Sequence, residues 1–152
     1  MLKANRLSGS GGISMKVNLT DDQWMKLLTP EQYEVLRLKG TEAPFSGELL
    51  HNEDTGEYVC AGCKSPLFSS EHKFDADCGW PSFYNVIDNA SVQLKEDRSH
   101  GMQRIEVLCA NCGGHLGHVF NDVPDQPTGI RFCINSVSLD FSPKSKSSKK
   151  QK

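Results

Sequence analysis

Apolar positions near the start of the chain fall into a helical rhythm. Behind Thr20, Trp24, Leu27 and Leu28 recur at helical spacing, and Asp21 and Asp22 occupy the first turn, where carboxylates meet the positive end of the helix dipole. Thr29-Pro30-Glu31-Gln32 then has the form of a capping box, with proline at a first helical position that needs no N–H donor. Tyr33, Leu36 and Leu38 form the inner face of this second short helix, and Gly40 offers a left-handed stop. From Phe45 the period changes to short β-like runs broken by turn residues. The runs are Glu48–His51, Glu57–Cys60, Ser82–Val86, Ser91–Lys95, Gln103–Cys109, Val119–Phe120 and Ile130–Phe141. Asn52–Gly56 reads as a hairpin loop between the first two. In the last run Ile130, Phe132, Ile134 and then Val137, Leu139 and Phe141 alternate with polar neighbours, and the slip at Asn135-Ser136 reads as a bulge. The pattern predicts a mainly β, antiparallel domain with short N-terminal helices that serve as packing elements.

Composition limits what such a domain can do. The chain has 152 residues, 37% hydrophobic and 24% charged, the proportions of one globular domain. Residues 1–17 read as a flexible glycine-serine leader, 18–142 as the domain, and 143–152 as a basic disordered tail. Three basic residues lie in 1–20 and five lysines in 143–152, without an acid in either stretch. The stretch 21–142 therefore holds 9 basic and 19 acidic residues, a net charge of −10. An acidic body argues against a large phosphate-binding face, so no nucleic-acid partner is expected. No apolar run approaches the roughly 18 residues of a membrane helix. Met1–Met15 lacks the apolar segment of a secretory signal, which points to a reducing compartment, the cytoplasm first, with mitochondrion and nucleus as alternatives.

In a reducing compartment, six cysteines suggest metal or redox chemistry more than disulfides. Cys60-Ala61-Gly62-Cys63 and Cys109-Ala110-Asn111-Cys112 share one spacing, and each follows a strand-like run. Two such knuckles supply the four thiolates of a closed tetrahedral zinc site. The competing reading makes one pair a redox dithiol, but redox C-x-x-C motifs open a helix in a βαβ unit, and neither pair does so here.

Cys78 and Cys133 fall outside that set. In an extended strand Arg131, Cys133 and Asn135 project from one face, where a guanidinium favours thiolate and an amide can bind a polar ligand. Equally, Cys133 can be a small buried apolar residue. His115 and His118 lie three residues apart behind the second knuckle and can transfer protons near neutrality. Asp122 is either an orienting partner for an imidazole or a surface acid. His51, His72 and His100 sit in polar loops and read as structural. Trp80 and Phe83 belong to a loop constrained by Gly79 and Pro81 and can wall a small apolar pocket.

Taken together, the two C-x-x-C pairs, Cys78-Gly79-Trp80-Pro81-Ser82-Phe83, Gly113-Gly114-His115-Leu116-Gly117-His118-Val119-Phe120 and Arg131-Phe132-Cys133-Ile134-Asn135 resemble the methionine sulfoxide reductase B family. The likeness runs from about Thr20 to Phe141. It implies two antiparallel sheets in a β-tent, Mss4-like fold with one structural zinc on Cys60, Cys63, Cys109 and Cys112. It further implies thiol-dependent reduction of the R epimer of methionine sulfoxide, mainly in proteins, as repair of oxidative damage. By position Cys133 is similar to the nucleophile, Cys78 to the resolving cysteine, and His118 to the proton donor. Trp80, His115, Asp122, Arg131 and Asn135 match the substrate-binding and positioning residues. The resemblance also implies recycling by thioredoxin and a monomer. Two other classes compete: a zinc-ribbon binding module, which would leave Cys78, Cys133 and both histidines without a role, and a cysteine hydrolase, for which no oxyanion hole can be placed.

Overall fold

The computed structural model describes residues 17–144. Residues 1–16 of the expected leader and 145–152 of the expected tail lie outside that span. Both N-terminal capping boxes form. Thr20 and Gln23 bond reciprocally at the start of α1 (Asp21–Leu27), and Thr29 and Gln32 do so at the start of α2 (Pro30–Leu36). Their buried faces differ in part from the expected ones. Trp24, Leu28, Val35 and Leu36 are buried, whereas Leu27 and Leu38 are exposed, because each helix lasts only two turns and Leu38 lies beyond the end of α2. Lys39, not Gly40, takes the left-handed conformation after α2, at φ 65°.

Nine strands follow among the described residues: β1 (Gly56–Cys60), β2 (Pro66–Ser69), β3 (Lys73–Phe74), β4 (Ser82–Phe83), β5 (Val92–Asp97), β6 (Arg104–Cys109), β7 (His115–Phe120), β8 (Arg131–Ile134) and β9 (Leu139–Pro143). All pair antiparallel, in a three-stranded sheet ordered β9-β1-β2 and a six-stranded sheet ordered β3-β4-β8-β7-β6-β5. The mainly β expectation holds. Glu48–His51 is a correction: it forms turns, with Leu49 packed on the core and its N–H donated to Ser136 Oγ at 2.9 Å. Asn52–Gly56 is consequently not a hairpin loop. Strand β1 pairs instead with β2, around the first cysteine knuckle, and β6 pairs with β7 around the second. The apparent bulge at Asn135-Ser136 is a corner, where a 3₁₀ turn at Ser136–Ser138 carries the chain from β8 in one sheet to β9 in the other.

An aromatic cluster fills the space between the sheets. Phe68 of β2 stacks on Phe83 of β4 with ring centroids 4.4 Å apart, and Tyr58 of β1 meets Phe83 edge-on at 5.0 Å. Tyr58, Phe68 and Phe83 are fully buried. Truncating any one of them to alanine would cost about 3–5 kcal/mol. This core leaves the opposite face of β6, β7 and β8 free to carry polar side chains.

Candidate active site and metal-thiol cluster

Cys60 ends β1 and Cys109 ends β6, so the two knuckles are the tight turns of two hairpins belonging to different sheets. In each, the amide four residues after the first cysteine bonds back to it: Lys64 N–H to Cys60 O at 2.8 Å, and Gly113 N–H to Cys109 O at 2.7 Å. Those residues, Lys64 and Gly113, both have positive φ. The four sulfurs lie within 4.8 Å of one another, with Cys60 and Cys112 3.7 Å apart and Cys63 and Cys109 3.6 Å apart. A tetrahedron with metal–sulfur bonds of about 2.3 Å has edges of about 3.8 Å, so the set fits a thiophilic cation. Four thiolates this close could not ionise together without one. The helices complete the shell. The Trp24 ring packs against Gly62, Leu36 against Gly114, and Arg37 donates to Cys112 O at 3.0 Å while lying over Trp24.

The second cysteine pair sits on the opposite face of the six-stranded sheet from the aromatic core. Register places Ser82 opposite Cys133, Cys133 opposite His118, and His118 opposite Glu106. These four therefore form one row across β4, β8, β7 and β6. The strands β7 and β8 approach closely because residue 117 is glycine, where a Cβ would lie 2.1 Å from Cys133 O. Cys78 reaches the row from its loop, with Sγ 3.5 Å from Cys133 Sγ and 3.3 Å from Ser82 Oγ. That loop turns at Gly79, whose φ of 93° suits glycine. A cavity of about 260 Å³ opens over the pair, lined among others by Trp80, His118, Arg131 and Asn135.

The two thiols are shifted in opposite directions by their contact. The Cys133 thiol hydrogen-bonded to Cys78 lowers the latter to about 5, with Ser82 and Arg131 adding to the effect. Cys133 is raised in turn, first by Cys78 and then by burial, against the pull of Arg131. Arg131 itself is fixed by a two-pronged ion pair with Asp122, at 3.1 and 2.9 Å, and lies over the Phe120 ring. Asp122 thus serves the guanidinium and neither imidazole.

Both histidines have other acidic partners. In a regular strand, residues three apart face opposite ways, but Leu116 is an extra residue in β7, and the resulting bulge turns His115 and His118 to the same side. His118 Nε2 lies 2.7 Å from Asp97 Oδ2 at the end of β5. Burial lowers the His118 pKa although Asp97 opposes it, and the hydrogen bond from His118 holds Asp97 well below the ordinary carboxylate range. His115, 3% exposed, places Nδ1 2.6 Å from the buried Glu106. Burial works to raise Glu106, but His115 and Lys39 outweigh it and keep the carboxyl low.

The structure therefore gathers Cys78, Cys133, His118, Trp80, Arg131 and Asn135 around one cavity and sets His115 behind it. Sequence reasoning missed Asp97 and Glu106. Asp97 was hidden in the charged run Lys95–Arg98, but Glu106, a lone acid inside Ile105-Val107-Leu108, carried a readable signal.

These features define a class: a two-sheet β domain braced by a four-thiol cluster, with a separate dithiol exposed to a cavity beside an imidazole–carboxylate pair. The SelR domain family matches residues 28–143. The protein of Leptospira interrogans named peptide methionine sulfoxide reductase MsrB is 56% identical over 129 residues, covering 85% of this chain and 98% of that one. The MsrB of Methanosarcina barkeri is 60% identical over 125 residues, 82% of this chain and 87% of that one, and that of Chromohalobacter salexigens is 55% identical over 131 residues, 86% and 98%. The chain belongs to the peptide methionine sulfoxide reductase MsrB family.

Proposed function

We propose that this chain reduces the R epimer of methionine sulfoxide, chiefly in proteins, through Cys133 and Cys78. Membership of the family supports methionine sulfoxide reduction, and the observation that carries the residue roles is the 3.5 Å separation of two cysteine sulfurs on a cavity shared with His118 and Trp80. The substrate methyl group rests against the Trp80 ring, and its sulfur faces Cys133. Transfer of the Cys133 proton to Cys78 leaves a thiolate on Cys133, which attacks the sulfoxide sulfur. His118, protonated, delivers its proton to the oxygen, and Asp97 orients the imidazole and favours its charged form. The attack joins the two sulfurs, and the protonated oxygen then passes as hydroxyl to the Cys133 sulfur. The bonds of the substrate sulfur to that oxygen and to Cys133 both break, so methionine leaves reduced and Cys133 is left oxidised as a sulfenic acid. The Cys78 thiol then attacks that sulfur, forming the Cys78–Cys133 disulfide and releasing water. Closing the bond requires the sulfurs to approach from 3.5 Å to about 2.0 Å.

A dithiol reductant of the thioredoxin type restores the pair, and the enzyme works as a monomer. Cys60, Cys63, Cys109 and Cys112 hold one zinc ion, which neutralises their thiolate charge and closes the two hairpins without entering the reaction. Among the described residues no helix is long and apolar enough to cross a membrane. The deciding experiment is turnover of a peptide carrying both sulfoxide epimers with dithiothreitol as reductant. Half of the sulfoxide should remain, all of it the S epimer; consumption of both epimers, or of neither, would refute the reading.

A further inference from the structure

The chain between α2 and β1 has no regular structure, yet it is tied to two walls of the cavity. Phe45 N–H donates to Gly79 O at 2.7 Å, and Gly47 lies so close to the corner that a Cβ there would be 2.3 Å from Ser136 Cβ. Bonds converge most densely on Glu42. Its carbonyl accepts from Trp80 Nε1 at 3.1 Å, and its N–H donates to Asn135 Oδ1 at 3.0 Å. Its carboxylate accepts from two successive amides of the corner, Ser136 at 3.0 Å and Val137 at 2.9 Å. Asn135 is 3% exposed and donates its Nδ2 to Leu116 O at 3.1 Å.

We propose that Glu42 is a positioning residue of the substrate cavity. Its carboxylate pins residue 42 to the corner between β8 and β9, and its main chain then holds the Trp80 indole and the Asn135 amide, both of which line the cavity. The inference rests on the proposed function for what the cavity binds. It assigns Glu42 to binding rather than chemistry, because the reacting groups are fixed by other means. Cys133 is held by the β7–β8 ladder, and His118 by Asp97. A carboxylate can serve both amides at once, whereas alanine serves neither and releases the segment. The Trp80 ring then loses the acceptor that sets its tilt.

The test compares full-length, metal-loaded wild type with Glu42→Ala and Glu42→Gln. In Glu42→Ala the KM for a peptide-borne methionine sulfoxide should rise about tenfold, while the single-turnover rate constant at saturation stays within about threefold. In Glu42→Gln, which keeps one carbonyl acceptor, KM should rise only about threefold. The Trp80 indole N–H resonance, assigned with Trp80→Phe, should shift and exchange faster in the alanine variant and partly recover in the glutamine variant, with the Trp24 resonance unmoved. Unchanged KM and an unmoved Trp80 resonance would overturn the proposal, as would a collapse of the rate constant at constant KM. If Glu42→Ala does not fold, Glu42→Gln decides: its threefold rise and smaller shift support the proposal, and wild-type values overturn it. Should the wild type reduce no sulfoxide while the Trp80 resonance responds as described, the functional reading fails and the positioning role stands.

Discussion

Two groups of cysteine sulfurs in this molecule are spaced almost alike and sit in opposite surroundings. Between the two knuckles the sulfurs pair at 3.6 and 3.7 Å, and those of Cys78 and Cys133 lie 3.5 Å apart. What differs is the surroundings. Cys60, Cys109 and Cys112 are 0–1% exposed, sealed by Trp24 and Leu36, and the four sulfurs complete one another's tetrahedron. Cys78 and Cys133 are only half-buried, open on a cavity, and supplied with a guanidinium and a hydroxyl instead of two further thiols. Sulfur spacing alone therefore does not distinguish a cluster able to hold a metal from the pair proposed to carry the redox chemistry. The number of sulfurs, their sealing and the neighbouring charges do.

The sharpest break of this comparison is to remove one sulfur from each group. Cys109→Ser should lose the metal and unfold, since metal binding in such sites contributes on the order of 10 kcal/mol of folding free energy. Elemental analysis and circular dichroism check this, and a folded but metal-free variant would contradict the structural role. Cys133→Ser should instead keep wild-type metal content and melting temperature while losing all reduction, including the first turnover. In Cys78→Ser one stoichiometric turnover should survive, ending in a sulfenic acid that a trapping reagent detects, and only recycling by thioredoxin should fail. Full recycling in that variant would mean that another thiol, or thioredoxin itself, resolves the intermediate.

A smaller effect separates the histidines. His118→Ala should slow the reductive step by about 10²–10⁴-fold with less change in binding, as loss of a general acid does. If rapid-quench rates fall only a few-fold at every pH, proton delivery belongs to another group.

The subtlest prediction concerns pH. In the proposed mechanism the reductive step needs one thiolate in the cysteine pair and one proton on His118. The pair gives up its first proton near 5, so the rate should rise through that region. Burial sets the His118 pKa below its ordinary 6.5, so the protonated form, and the rate with it, should already be declining as pH rises toward neutrality. A bell with its maximum on the acid side of neutral is expected, its limbs belonging to coupled groups rather than single residues. Asp97→Asn removes a charge that raises His118, and should move the alkaline limb to still lower pH. A limb that stays in place would uncouple Asp97 from the titrating group.

Much of this organisation was legible in the residue order. Capping boxes at Thr20 and Thr29 are contacts over three residues, so local sequence specifies them completely. The knuckles were legible because metal ligation demands one residue type at one spacing, and the flanking motifs identified the family. Arg131 and Cys133 share a face by strand alternation alone. Other features depended on distant segments meeting. Glu48–His51 has a strand-like composition, but packing of Leu49 beside Ser136 made it a turn. The break at Asn135-Ser136 was visible as a slip, yet only the second sheet turned it into a corner, because β9 pairs with β1 rather than continuing beside β7.

The same division holds within the site. Sequence alone determined which groups the chain can offer: six thiols, two imidazoles behind the second knuckle, and an indole in a constrained loop. Tertiary structure decided which of them meet. Asp97 lies 21 residues from His118, and Glu42 lies 93 from Asn135. No local pattern marks either acid, since a carboxylate in a charged run or a loop has the same sequence signature whether it faces water or a buried partner. Strand register and the Leu116 bulge chose the partners. Burial then made the choice consequential, because an ionisable group removed from water responds strongly to the few neighbours left to it.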